Sequence, residues 1–295
     1  MNIAIRIAAA ILSVPPDVLA PMVPPMAPPP RNELESQLRD EIDSALSGSC
    51  SSAVTDSAPL FLLSESETNF VNCNSGLPGT DGDLFKKDDE LGKPGTYGEI
   101  TLLGARQLFY HMGLHNNNHE AQNNYQFFDL GSGGGRLVIQ SHLELPSVTR
   151  SVGIELSPTR HNIAMRRLNE LKSNDDLKRI RHLARKSWAL DYNHAAAIDL
   201  YEGDLFDLDI SKATHIYLSS LCFTETMLER IVDKMEAEGS ALKIVASLRL
   251  LPLGSNQGGR VVALGDKPWQ EFVQMTWNRG GDGCPVFFYA VKPTA

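Results

Sequence analysis

The chain has 295 residues, of which 42% are hydrophobic, and its formal net charge is -9 at pH 7. This length suffices for one large domain or two small ones with a substantial core. The acidic balance argues against a protein that binds nucleic acid with its whole surface, and no apolar run reaches the roughly 18 residues of a membrane span.

The four cysteines, Cys50, Cys73, Cys222 and Cys284, are scattered along the chain. They form no CxxC pair and show no Cys/His ligand spacing, so we expect neither a disulfide scaffold nor a metal site. A reducing compartment, nuclear or cytoplasmic, is therefore expected.

Residues 1–30 are predicted to form a tail. The first sixteen residues, "MNIAIRIAAAILSVPP", contain one basic residue, Arg6, and a short apolar run, and they faintly resemble a signal or transit segment. The alternative is an unstructured or loosely docked N-terminus. The stretch Pro15–Pro30 is rich in proline, which neither continues a helix nor supplies ladder donors, and this indicates an extended spacer.

A helical and loop region is predicted over residues 31–96. The segment "NELESQLRDEIDSALS" places Leu34, Leu38, Ile42 and Leu46 on one helical face, with acidic residues opposite. The text that follows, up to residue 94, is rich in Ser, Gly and Asp, and we expect it to be mostly loop.

Residues 97–295 are predicted to form the main domain. A helix in "YGEITLLGARQLFYHMG" ends at Gly113, and strands and helices then alternate. The predicted strands are "YQFFDL", "SVGIEL", "AAIDLYEGD", "THIYLSS" and "ALKIVASLRLL", and the helices "RLVIQSHLEL" and "SPTRHNIAMRRLNELK" follow the first two. The end, "VQMTWNRGGDGCPVFFYAV", resembles two strands around a Gly-rich turn. This order predicts an α/β fold with a doubly wound, mostly parallel sheet and a C-terminal antiparallel hairpin.

A glycine-rich turn, "FFDLGSGGGRLVIQ" (Phe127–Gln140), follows the first of these strands. A dinucleotide loop, G-x-G-x-x-G, would need a small residue where the chain has Arg136 or Val138, and no Gly-Lys-Ser/Thr ending of a P-loop follows. The pattern that fits is D-x-G-x-G-x-G, formed by Asp129, Gly131, Gly133 and Gly135. It suits S-adenosylmethionine, because glycines let an amino-acid portion and a ribose lie against the backbone. Asp129 can orient the loop or receive the ammonium group. A turn without a ligand is the alternative.

Two further acids follow the next strands in order. Glu155 ends "VGIE", where a carboxylate can accept hydrogen bonds from both ribose hydroxyls, as it also would in an NAD site. Asp204 in "YEGD" follows the third strand, where a carboxylate can accept a hydrogen bond from an adenine amino group. Either acid alone is more often a solvated strand-end residue, but the series of three acids at successive strand ends supports a nucleoside ligand.

With these motifs the chain resembles the class I, seven-stranded, Rossmann-like S-adenosylmethionine-dependent methyltransferases. Within them it is similar to the disruptor-of-telomeric-silencing (Dot-one) histone lysine methyltransferases. The resemblance extends from about Tyr97 to Val291 and rests on "YGE", on the glycine motif with its Leu-Gly-Ser core, and on "MTWNRGGDGCPVFFY". It implies the fold, the cofactor S-adenosylmethionine and a role on chromatin.

The resemblance also implies site residues. "YGE" at Tyr97–Glu99 corresponds to a loop that closes over the cofactor, and "IYLSSLCF" lies where the family has its target-lysine motif. We therefore expect Glu99 to join the cofactor contacts, and Tyr97, Ser220 and Phe223 to surround the methyl acceptor. The implied reaction is in-line displacement by a neutral lysine amine, in a channel lined by Tyr97, Phe223 and hairpin aromatics such as Phe288 or Tyr289, of which at least one is expected to be core.

The chain departs from the family pattern at four places. Ile100 follows "YGE" where the family has threonine, and Arg136 replaces a glutamine of the glycine motif. Leu205 replaces an aromatic residue after the adenine-contacting acid. Ser219-Ser220-Leu221 stands where the family has Asn-Asn-Phe.

The acceptor is less constrained by the sequence. Residues 160–186 contain nine Lys or Arg and three acids on what resembles one long helix, which could contact nucleic acid or an acidic protein surface, or be a solvated face. A histone or nucleosome and a non-histone protein both remain candidate substrates. The alternatives are a class I methyltransferase for a small-molecule or non-lysine acceptor, and a cofactor-binding module that has lost turnover.

Overall fold

The computed structural model describes residues 28–47, 98–115, 124–188, 197–253, 259–263, 268–276 and 283–293. The α-helices in these ranges are α1 (Glu33–Ser47), α2 (Leu102–His111), α3 (Arg136–Glu144), α4 (Pro158–Ser173), α5 (Asp176–Ser187) and α6 (Glu225–Glu238). The strands are β1 (Tyr125–Leu130), β2 (Val148–Glu155), β3 (Ala197–Glu202), β4 (His215–Leu218), β5 (Ile244–Ser247), β6 (Val261–Ala263), β7 (Trp269–Val273) and β8 (Cys284–Val291). Within this part of the chain, no helix is long and apolar enough to cross a membrane.

The strands form one sheet in the order β3-β2-β1-β4-β5-β8-β6, with β7 also paired to β8. Strands β1 to β5 are parallel, and β8 runs antiparallel to β5. Strands β6 and β7 pair with the edge of β8 that faces away from β5, so eight strands occupy seven positions. The predicted doubly wound fold with C-terminal antiparallel strands is confirmed. The chain reverses its direction across the sheet between β1 and β4, where ligands of such folds bind.

Apolar residues cover both faces of this sheet. Neighbouring residues of β1, Phe127 and Phe128, belong to two different buried clusters, because successive side chains of a strand point to opposite faces. Phe288 and Tyr289 on β8 alternate in the same way, and both are fully buried. The Tyr289 hydroxyl accepts a hydrogen bond from Leu251 N at 2.8 Å. The expectation that at least one of these two aromatics is a core residue is confirmed, and both are.

Helix α1 packs onto the sheet domain through α3 and α5. Leu38, Ile42 and Leu46 are buried in a cluster with residues of α3, α4 and α5. Leu34, predicted on the same face, is 41% exposed, because the cluster begins only one turn after it. The chain divisions at residues 30 and 96 stay predictions, and residues 48–94 lie outside the described part.

The basic stretch 160–186 forms two helices, so the prediction of one long helix is wrong. Helix α4 ends at Ser173, and Asp175, with φ 55, turns the chain before α5 begins. Of its basic residues, three are buried and three form surface ion pairs: Arg160, Arg167 and Arg181, then Arg166, Lys178 and Arg179. Arg181 donates to carbonyl oxygens at the end of α3 and the start of β2. This arrangement favours a structural and solvated role over a nucleic-acid-binding face.

Candidate active site

The glycine loop between β1 and α3 uses backbone conformations that other residues rarely adopt. Gly131, Gly133 and Gly135 have φ values of 89, 54 and 76°, all in the left-handed region. A Cβ atom on Gly135 would lie 2.8 Å from Ala164 Cβ, whereas one on Gly131 would lie 3.6 Å from Phe223 Cζ. Gly135 therefore permits close packing of α4, and Gly131 lies next to the ring of Phe223.

Glu155, at the end of β2, holds this loop in place. Its Oε2 accepts a hydrogen bond from Gly133 N at 2.8 Å, and its Oε1 accepts one from Ser157 N at 3.0 Å. Arg160 Nη1 lies 3.8 Å from Oε1. Because a carboxylate has about four acceptor positions, Glu155 can both close the loop and accept hydrogen bonds from ligand hydroxyls.

Asp129 lies near the end of β1 and is only 3% exposed. Its Oδ1 has no hydrogen-bond partner among the described residues. Burial, and next the charge of Glu155, raise the pKa of Asp129 to about 8. The free protein therefore keeps this carboxyl group largely protonated at neutral pH. A cation beside Asp129, such as the ammonium group of a ligand, would favour the ionised form of this carboxyl group.

Glu99 precedes α2 and is buried between two arginines that belong to α3 and α4. Its carboxylate lies 3.6 Å from Arg136 Nη1 and 3.5 Å from Arg167 Nη1. Arg167 also donates to the carbonyl of Gly134, at 3.2 Å. Arg167 thus connects Glu99 to the glycine turn. The sequence analysis did not identify Arg167 as a site residue. Tyr97, its predicted companion, lies outside the described residues.

On the opposite side of the switch point, Ser220 follows β4 and is fully buried. Its Oγ lies 2.8 Å from Ser247 Oγ and accepts a hydrogen bond from Arg249 N at 2.9 Å. Phe223, three residues later, is half-buried, and the Arg249 guanidinium donates to its carbonyl oxygen. Sequence reasoning missed Ser247 and Arg249, because their contacts form only when the ends of β4 and β5 meet.

Asp204 lies one strand farther out, just beyond β3. It is exposed, and its Oδ1 accepts a hydrogen bond from Phe206 N at 2.9 Å, which begins a short 3-10 helix. Glu202, two residues earlier, pairs across the sheet with Glu155. The predicted cofactor residues Asp129, Glu155 and Asp204 therefore lie at or just beyond the carboxyl ends of three adjacent strands.

The family model described as "Histone methylation protein DOT1" matches residues 87–260, which is more than half of the chain. The chain belongs to the DOT1 family. It is accordingly an S-adenosylmethionine-dependent methyltransferase, and S-adenosylmethionine is its cofactor. Comparison with curated proteins gives no match.

Solved structures similar to this DOT1-family chain include methyltransferases. An RNA methyltransferase from Salinibacter ruber in complex with S-adenosyl-L-homocysteine is 21% identical, with 60% of this chain and 86% of that chain covered and a TM-score of 0.34. A ribosomal RNA methyltransferase from Streptomyces viridochromogenes is 11% identical, with 63% and 84% covered and a TM-score of 0.40. Scores this low give no information about the acceptor of the DOT1-family chain.

The site of this DOT1-family protein fits the cofactor. S-Adenosylmethionine has an ammonium group, and the buried Oδ1 of Asp129 has no partner among the described residues. Its amino-acid portion needs open backbone, and the loop provides three glycines with positive φ. The ribose needs hydrogen-bond acceptors, and Glu155 has capacity left beyond its two backbone bonds.

Proposed function

We propose that this DOT1-family methyltransferase methylates the side-chain amine of a lysine in a basic protein, with histones, free or in nucleosomes, as the first candidates. The observation that carries this proposal is the match to a histone methylation family. The charges around the site support it, and a nuclear or cytoplasmic location accords with it.

The described rim of the site is acidic. Glu202 ends β3, Asp204 follows it and Glu225 begins α6, and all three are exposed. Arg249 lies 3.3 Å from Glu225 and is thereby partly neutralised. A phosphate backbone would be repelled by this rim, because nucleic-acid binding requires Lys and Arg contacts to phosphates. A lysine-rich polypeptide has the complementary charge.

We assign the cofactor contacts to residues of the first three strands and their loops. Asp129 would accept a hydrogen bond from the ammonium group, Glu155 from the ribose hydroxyls and Asp204 from the adenine. Gly131 and Gly133 would leave room for the amino-acid portion, Gly135 would hold the turn against α4, and Glu99 would close the loop over the ligand. The bound cofactor supplies an electrophilic methyl group on a positively charged sulfur.

The acceptor side would be formed by Tyr97, Ser220 and Phe223. In-line displacement requires a neutral amine whose lone pair points at the methyl group, so the protein contributes positioning and exclusion of water. An apolar ring beside the amine disfavours its charged form, and Phe223, half-buried against the glycine loop, can have that effect. The Ser220 hydroxyl already has two hydrogen-bond partners, so Ser220 would contribute to the shape of the acceptor site.

The proposal is tested by radiolabelled methyl transfer onto nucleosomes, free histones, total RNA and a whole-cell extract in parallel. We expect label in histone or other protein bands and none in RNA. The matched control is Gly133→Arg, which should abolish S-adenosylmethionine binding and leave the circular dichroism spectrum unchanged.

Three results would contradict the proposal or part of it. Label confined to RNA or to small molecules would refute the lysine acceptor. Tight cofactor binding with no labelled acceptor would favour a module without turnover. Unchanged cofactor affinity in the Gly133→Arg variant would refute the assignment of the loop.

A further inference from the structure

We propose that Arg249 is a positioning residue that holds the backbone of Phe223, and through it the acceptor wall, in place beside the cofactor loop. We call Ser220, Phe223, Ser247 and Arg249 the latch, because they join the segments that follow β4 and β5. The inference rests on the proposed site of methyl transfer, although its structural part can be measured without an acceptor.

The backbone of Arg249 is attached to both strand ends. Its N–H donates to Ser220 Oγ at 2.9 Å and lies 3.3 Å from Ser247 Oγ, and the two hydroxyl oxygens are 2.8 Å apart. Both serines are fully buried. Buried hydroxyl groups are costly to leave without partners, so this arrangement fixes the position of residue 249 relative to the end of β4.

The side chain of Arg249 reaches back to the segment after β4. Its Nη1 donates to the carbonyl oxygen of Phe223, and its Nη2 lies 3.3 Å from Glu225 Oε2. The Arg249 side chain is 34% exposed and that of Glu225 is 66% exposed. An exposed ion pair of this kind contributes about 0–1 kcal/mol, so the contact that positions the segment is the hydrogen bond to Phe223.

Apolar packing is weak immediately beside the latch. Leu221 and Leu250, which adjoin Ser220 and Arg249, are 50% and 54% exposed, whereas Phe223 and Leu251 pack in one apolar cluster farther along the two segments. On its other side, the Phe223 ring lies next to Gly131, within 3.6 Å of the position that a Cβ atom there would take. Arg249 thus connects the end of β5 to the ring that borders the cofactor loop.

The test uses the full chain with para-fluorophenylalanine at position 223 and compares wild type, Arg249→Met, Arg249→Lys and the matched control Arg166→Met, which changes a surface arginine of α4 whose side chain is 57% exposed. The measurements are the fluorine NMR spectrum, S-adenosylhomocysteine titration, and kcat and KM for methyl transfer to core histones. Wild type and Arg166→Met should give one narrow resonance that shifts when S-adenosylhomocysteine binds, because the ring borders Gly131.

In Arg249→Met we expect a broadened or displaced resonance and a kcat lower by about 10- to 100-fold, with KM for S-adenosylmethionine changed by less than about threefold. Arg249→Lys should recover part of kcat, because an ammonium group can donate to one carbonyl oxygen but lacks the guanidinium fork.

A wild-type spectrum and wild-type kcat in Arg249→Met would overturn the inference, as would an equal effect of Arg166→Met. If Arg249→Met does not fold, the spectra of Arg249→Lys and wild type decide, and identical spectra would again overturn it. If wild type methylates no histone, the proposed acceptor is wrong. The fluorine spectrum and its response to S-adenosylhomocysteine then still test the latch.

Discussion

The ends of β1 and β2 each bury a carboxyl group, and the protein treats the two differently. Glu155 on β2 is 6% exposed and accepts hydrogen bonds from Gly133 N and Ser157 N, with Arg160 nearby. Asp129 on β1 is 3% exposed, and its Oδ1 has no partner among the described residues. The carboxylate of Glu155 holds the glycine loop, and we propose that the carboxyl group of Asp129 receives a ligand.

The two carboxyl groups should also differ in their contributions to the free energy of unfolding. A buried carboxylate with backbone donors and a cation stabilises the folded state, whereas one without them is costly to ionise. The pKa of Asp129, raised to about 8 by burial and by Glu155, records that cost. The same chemical change, from acid to amide, should therefore have opposite effects on stability at the two positions.

The largest effect is expected for the stability of the cofactor-free protein with Asp129→Asn. A carboxyl group with a raised pKa in the folded state stabilises that state at low pH, and this contribution is lost as the pH rises from 3.8, its ordinary value, through about 8. Asparagine does not ionise, so the free energy of unfolding of the variant, compared with that of wild type, should rise over this pH range. Above it, the difference should stay constant. At about 1.36 kcal/mol per pKa unit the gain approaches at most about 6 kcal/mol, and structural relaxation lowers it.

This gain is measured by urea denaturation of both proteins between pH 4 and pH 9. A stability difference that does not change with pH would show that Asp129 is already ionised in the free protein. The contrast between the two carboxyl groups would then be lost.

The next largest effect is on cofactor affinity in the same variant. Removing one partner of a buried ion pair costs about 3–5 kcal/mol, so Asp129→Asn should weaken S-adenosylhomocysteine binding by about 100-fold or more. Isothermal titration calorimetry measures this, and the proton released by wild type on binding should be absent in the variant. A loss below about threefold would refute the assignment of the ammonium group to Asp129.

Glu155→Gln should destabilise the protein, by about 2–3 kcal/mol. A glutamine side chain offers only one acceptor oxygen, so Gly133 N or Ser157 N would face an amide group that also donates. Chemical denaturation of the cofactor-free protein tests this sign. A variant as stable as wild type would mean that the loop does not depend on the carboxylate.

The smallest effect is expected for Ser157→Ala. The Ser157 side chain caps α4 by accepting a hydrogen bond from Arg160 N at 3.2 Å, whereas its own N–H donates to Glu155. Alanine removes only the cap and should cost about 1 kcal/mol, with cofactor affinity unchanged. If Ser157→Ala loses as much stability as Glu155→Gln, the side chain of residue 157, and not its backbone, supports the loop.

Local patterns predicted the cofactor half of the fold well. The segment "YQFFDL" corresponds to β1 residue for residue, and Ser157 and Pro158 begin α4 as their types indicate. Helix α6 was missed, although Thr224 caps it and its buried residues have helical spacing. The break before α5 was missed too, because left-handed backbone at Asp175 has only a weak sequence signal.

The contacts that complete the site could not be predicted, because they join residues far apart in sequence. Burial of Glu99 between Arg136 and Arg167 depends on how α3 and α4 pack around the glycine turn. The latch depends in the same way on the meeting of β4 and β5. Periodicity and spacing describe one segment at a time and carry no information about such pairings.

Helix α1 acts on the sheet domain as a tethered ligand. Its apolar face covers residues of α3, α4 and α5, and its Asp43 lies 2.7 Å from Arg106 on α2. The family match begins at residue 87, and a fragment that starts there would lack α1 and expose that surface. Arg106 would lose Asp43 and keep Glu144 as its carboxylate partner. In the intact chain α1 docks intramolecularly at any protein concentration, whereas a separate peptide of residues 28–47 would restore the fragment only when added above its own dissociation constant.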